Sequence, residues 1–227
     1  MTPLWLSMET LTTLGSMSDE TVNPQGPPDD SGLDLDPDAR ERRRVALSQV
    51  RRFGDPVLKS PASPVSEFDE ELAQEVERMT GIMRDAIGVG LAATQLGLMR
   101  RLLIIQPGRD APAIALANPE LEWTSEETTT AEEGCLSIPG VIVDVERPLF
   151  VRARGQDASG EPLLIEASGL EARVIQHEID HLDGVLMLDR TTREQRKGAL
   201  GALREGNTFA PERPEEEEPA EPAPAEA

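Results

Sequence analysis

Two histidines occur in this 227-residue chain, and they lie four apart in Gln176-His177-Glu178-Ile179-Asp180-His181. On an α-helix, positions i and i+4 share a face, so both imidazoles can reach one metal ion while Glu178 projects beside it. A catalytic metal also needs a third protein ligand and an open position for water. Metallopeptidases with this H-E-x-x-H spacing commonly add a downstream carboxylate or a third His, and the chain has no third His. The single cysteine, Cys135 in Glu133-Gly134-Cys135-Leu136-Ser137, is the other candidate, although read alone it is equally a small buried hydrophobe. Were Cys135 that ligand, a thiolate and two neutral imidazoles on a divalent ion would leave one net positive charge, and water in the open position could ionise near neutral pH. A structural metal site uses the same spacing, because H-E-x-x-H does not itself show that a coordination position is open.

These residues require elements that hold them. Leu170, Val174, His177 and His181 fall on one face of a predicted helix over 170–182. Ser66 followed by Asp69 resembles a capping box, after which Leu72, Val76, Met79, Met83 and Ala86 recur at helical spacing until Gly88. Strands are predicted at 101–106, 113–117, 141–146, 149–154 and 162–167. The sequence GQDASG between the last two favours a hairpin and antiparallel pairing. A helix over 192–204 is expected to be interrupted at Gly198 and Gly201. One helix, several strands and then helices, without regular βαβ alternation, indicates an α+β fold. The expected architecture is antiparallel β-sheets packed around the central helix carrying the metal motif, with a C-terminal helix.

Acids outnumber bases 43 to 22, a net charge of -21, which excludes a general nucleic-acid binder and makes DNA an unexpected partner. The excess is concentrated at the ends: residues 1–40 hold eight acids and one base, residues 211–227 seven acids and one base. The organisation expected is a disordered acidic extension over 1–40, a catalytic domain over 41–206 and a disordered tail rich in Pro, Glu and Ala over 207–227. One cysteine excludes an internal disulfide framework and suggests a reducing, cytoplasmic compartment. No run of 18 apolar residues appears, so no membrane span is expected. The first 17 residues lack a basic region ahead of their apolar residues, which argues against a secretory signal, and Met8 and Met17 offer alternative starts.

Three segments occur in order at compatible separations: Gly88-Val89-Gly90-Leu91-Ala92-Ala93-Thr94-Gln95, Glu133-Gly134-Cys135-Leu136-Ser137 and Gln176-His177-Glu178-Ile179-Asp180-His181-Leu182. Over roughly residues 50–189 the chain resembles the peptide deformylases, hydrolases that remove the N-formyl group from new bacterial polypeptides. The resemblance implies metal ligation by Cys135, His177 and His181, and acid/base chemistry by Glu178. It gives stabilisation of the oxyanion to the Gln95 amide and the Leu136 backbone N–H, and a close-packed loop lining the substrate site to Gly90. It implies Fe(II), with Zn(II), Ni(II) or Co(II) able to take its place, since thiolate and imidazole suit several of these ions. The implied substrates are N-formylmethionyl nascent peptides, which release formate. The implied further partner is the ribosome, reached through the basic stretch Arg190 to Arg204.

Other residues of the motifs have two readings. Asp180 lies off the ligand face and suits a supporting hydrogen bond better than catalysis. Glu133 suits either a contact to the substrate amine or a solvated charge at a strand end. Ile87 and Leu91 suit either an apolar pocket for a methionine side chain or the core. An endopeptidase built on H-E-x-x-H would show a downstream carboxylate as third ligand. A metal-bound interaction module without activity would need neither Glu178 nor Gln95.

Overall fold

A computed structural model describes residues 35–106, 108 and 111–213. The described residues open with helix α1 (Pro37–Ser48), in which the Asp36 carboxylate caps Ala39 N–H and Pro37 occupies the first turn. The boundary expected at residue 40 therefore falls inside a helix, and residues 1–34 of the expected extension lie outside the described residues. A 3₁₀ turn (Pro56–Lys59) precedes helix α2 (Glu70–Asp85). Asp69, rather than Ser66, caps α2: its carboxylate accepts from Leu72 N–H, so the helix begins a turn later than the spacing suggested.

Five strands form one antiparallel sheet in the order β1 (Gly90–Ala92), β2 (Leu102–Ile105), β3 (Ile114–Thr124), β6 (Phe150–Gln156) and β7 (Pro162–Ser168). Strands β4 (Thr128–Gly134) and β5 (Ile142–Pro148) form a separate antiparallel pair. The hairpin expected between β6 and β7 is present, with Gln156 opposite Pro162. Strands β1 and β4 have no counterpart among the predicted strands, and β3 continues seven residues past the predicted 117.

Helix α3 (Gly169–Leu182) packs against both sheets and is buried continuously from Ala172 to Leu182. A short helix α4 (Met187–Arg190) leads into α5 (Arg193–Glu205), capped by Thr192. Helix α5 runs without a break through Gly198 and Gly201, contrary to expectation. Gly198 serves packing there, since a Cβ would overlap the Phe209 ring. Residues 207–213 do not begin a free tail as expected. Phe209 N–H donates to Gly140 O, Ile142 N–H donates to Phe209 O, and Arg213 lies 2.9 Å from Glu132. The remainder, 214–227, lies outside the described residues. No helix among the described residues is long and apolar enough to cross a membrane.

Three apolar clusters make the core. One joins α1, α2, β1 and β2, a second joins the large sheet to α3, and a third joins β5 and the loop before it to α4 and α5. Fully buried Leu103, Ile104 and Ile105 are each worth about 1.5–3 kcal/mol of burial. Leu136 belongs to the first cluster, Ile175 and Ile179 to the second and Cys135 to the third, so the motif residues lie where all three meet.

Candidate active site

Helix α3 carries the two histidines into the interior between the sheets. His177 and His181 are 5% and 1% exposed, with ring centroids 4.9 Å apart and planes at 76°. Cys135 reaches them from the end of β4, in a turn closed by Ile138 N–H donating to Cys135 O. Its Sγ lies 3.2 Å from His181 Nε2. One candidate ligand atom from each of Cys135, His177 and His181 lies within 4.8 Å of the others, and all three residues are buried. Among the described residues the third donor beside the histidines is thus a thiol and not a downstream carboxylate.

The donor set fits a divalent ion. His177 Nδ1 is 3.0 Å from Glu133 Oε2, which leaves Nε2 buried with no hydrogen-bond partner of its own. A histidine whose second nitrogen is held by a carboxylate, with the other ring nitrogen turned toward a thiol, has the arrangement of a metal ligand. Burial opposes charge on His177, but the neighbouring Cys135 and Glu133 prevail and raise its pKa well above the ordinary value. Burial, and then the neighbouring His177 charge, push His181 well below that value. The second ring is thereby kept neutral, as ligation requires.

Glu133 is neither a solvated strand-end charge nor a group open to a substrate amine. It is 4% exposed and joined by Arg147 (Nε–Oε1 2.5 Å, Nη2–Oε2 2.9 Å) and Arg173 (Nη1–Oε1 2.8 Å). Arg147 also donates to Asp180 Oδ2 at 2.9 Å, and Arg190 donates to both Asp180 oxygens. Burial would raise the Glu133 pKa, yet the hydrogen bonds from Arg147 and His177 outweigh it and hold the carboxyl well below the usual range. Asp180 accordingly supports the site through Arg147, which ties it to Glu133 beside His177. Glu133 sits two residues before Cys135, and that proximity was the one sequence signal for its role.

Gly90, Gln95 and Leu136 surround the same cluster. A Cβ at Gly90 would overlap Glu178 Oε1 and lie 2.9 Å from its Cγ and Cδ, so glycine is required for β1 to pass the 1%-exposed Glu178. Gln95 lies in a 3₁₀ turn (Ala93–Leu96). Its Oε1 accepts from Ala92 N–H at 2.9 Å, which turns Nε2 toward Cys135 Sγ at 3.6 Å and Ser137 Oγ at 3.3 Å. Leu136 follows Cys135 directly, with its side chain buried against the Gly88 turn. Backbone bonds from Arg51 N–H to Gln95 O (2.7 Å) and Phe53 N–H to Ser137 O (2.8 Å) stitch both loops to one crossing segment. Leu91 is fully buried in the core, whereas Ile87 is 36% exposed.

Residues 47–197 match the model of the polypeptide deformylase family. The chain is 46% identical over 167 residues to peptide deformylase 1 of Corynebacterium glutamicum, covering 73% of this chain and 99% of that one. It is 45% identical over 161 residues to a peptide deformylase of Parafrankia sp., covering 71% and 87%. Among solved structures it resembles a Synechococcus elongatus peptide deformylase in complex with actinonin, at a TM-score of 0.65 and 43% identity, covering 70% of this chain and 88% of that one. The Thermotoga maritima peptide deformylase gives 0.61 and 45%, covering 63% and 96%.

Proposed function

This chain belongs to the polypeptide deformylase family, and on that premise we propose that it hydrolyses N-formylmethionyl nascent peptides in the cytoplasm, releasing formate and a free N-terminal methionine. The observation that carries this reading is the buried meeting of Cys135, His177 and His181 beside Glu178 and the Gln95 amide. Cys135, His177 and His181 hold one divalent cation, Fe(II) in preference, with Zn(II), Ni(II) or Co(II) as substitutes. Such an ion supplies Lewis acidity that makes water nucleophilic near neutral pH. The Glu178 carboxylate takes the proton of the attacking water and delivers it to the departing amine. Gln95 Nε2 and the Leu136 N–H hold the formyl oxygen as negative charge develops on it, each such donor being worth about 3 kcal/mol of barrier. Gly90 lets the substrate backbone lie close to Glu178.

The test is formate release from formyl-Met-Ala-Ser by protein purified without oxygen, with metal content measured on the same sample. Stoichiometric metal and turnover are expected together, and Cys135→Ala, left with two strong ligands, loses both. A Cys135→Ala protein that keeps its metal would assign the third ligand elsewhere. Intact protein that carries metal but releases no formate would overturn the function.

The ribosome belongs to the same reading. Arg190 and Arg196 are drawn into ion pairs with Asp180 and Asp189, so the exposed bases that remain on this segment are Arg193, Lys197 and Arg204. Reversing the charge of these three should weaken salt-sensitive co-sedimentation with ribosomes while leaving hydrolysis of the free tripeptide unchanged. Removing residues 214–227, which hold six glutamates, should strengthen it. Unaltered co-sedimentation of the charge-reversed variant would leave α5 an ordinary surface helix.

A further inference from the structure

Helix α2 ends in a Schellman motif: Gly88 N–H donates to Met83 O at 2.8 Å and Ile87 N–H to Arg84 O at 3.0 Å. The left-handed position of that motif, ordinarily glycine, is held by Ile87 at φ 59°. A β-branched residue there is strained and persists only where its surroundings impose the conformation. One such constraint is Arg43 of α1. Its guanidinium, on a residue 3% exposed, donates to Ala86 O, the carbonyl of the peptide that enters Ile87. Ala46 and Leu47 pack α1 onto the same end of the first cluster. Arg43 precedes the segment 47–197 matched to the family.

The residues immediately after Ile87 form a wall of the site. A Cβ at Gly88 would lie 3.2 Å from Leu136 Cδ1, Val89 O accepts from Gln106 N–H, and Gly90 abuts Glu178. Three residues therefore separate the strained position from the proposed general base. We propose that Arg43 is a positioning residue, which fixes the Ala86–Ile87 peptide plane and so sets Gly88 to Gly90 against Leu136 and Glu178. It acts through the backbone and touches no substrate. The inference rests on the deformylase reading for its kinetic consequence and on the geometry alone for its structural one.

Arg43→Met keeps the aliphatic packing and removes the donor. Below its melting temperature, the metal-loaded variant should lose about tenfold or more in kcat/KM for formyl-Met-Ala-Ser, since displacements of an ångström near reacting groups have effects of that order. Hydrogen exchange should accelerate at the Gly88 and Gln106 amides while the middle of α2, around Met79, keeps its protection. Ile87→Gly relieves the strained position, so adding Arg43→Met to Ile87→Gly should change kcat/KM by no more than about threefold. A merely structural arginine would lower the melting temperature equally in both backgrounds and leave kcat/KM and the two amides unmoved, and that result overturns the proposal. If wild-type protein releases no formate, the deformylase reading fails and amide exchange alone decides whether Arg43 braces the turn.

Discussion

Glu178→Gln should retain a full complement of metal and lose turnover by several orders of magnitude. The substitution preserves the shape of a side chain that is 1% exposed and pressed against the Gly90 backbone, so the wall of the site stays in place. What it removes is the group that both accepts and returns a proton. A single proton-transfer contribution is worth roughly 10²–10⁴ in rate, and Glu178 serves twice. Metal content and formate release measured on one preparation decide the matter. Metal lost together with activity would make Glu178 a ligand, and full activity would remove it from the mechanism.

Glu133→Gln should be the most damaging substitution for stability outside the apolar core. It leaves Arg147 and Arg173, 4% and 6% exposed, facing a neutral amide in place of a carboxylate. Breaking a buried ion network from one side costs about 3–5 kcal/mol. For a domain of this size that corresponds to a fall in melting temperature of about 10 °C. The His177 ring also loses its charged anchor, so metal affinity should fall about 10–100-fold. The pH dependence has a definite sign. The folded state holds the Glu133 carboxyl well below its ordinary value of 4.5, so its contribution is fully present above that value and is lost as pH falls toward the folded-state value. Wild-type stability should decline below about pH 5, and the Gln variant should decline less steeply over the same range. Adding Arg173→Met should recover part of the loss. A Gln variant with wild-type melting temperature and metal affinity would mean that the network carries no such weight.

Much of the chemistry was legible along the chain because it depends on local periodicity. The four-residue interval between His177 and His181 places two imidazoles on one helix face whatever surrounds them, and α3 forms within a residue of the span predicted from its apolar spacing. The β2, β5, β6 and β7 strands were similarly readable, since continuous or alternating apolar residues bounded by turn formers need no distant partner to be recognised. Strand β4 was not, because the inward position near its end is Glu133, a charge that can be buried only once Arg147 and Arg173 arrive from β5 and α3. The same long-range pairing converts Glu133 from an apparent surface acid into the anchor of His177. Helix α1 was missed for a related reason: its sequence PDARERRRVALS shows almost no apolar face, and the buried Arg43 donates to Ala86 O, 43 residues away. Spacing in the chain thus placed His177, Glu178 and His181 together on one helix, whereas Cys135, Gln95 and Leu136 entered through the order of three motifs shared with a known family. Tertiary structure alone decided which charges go inside, because burial of a charge depends on partners that sequence separation conceals.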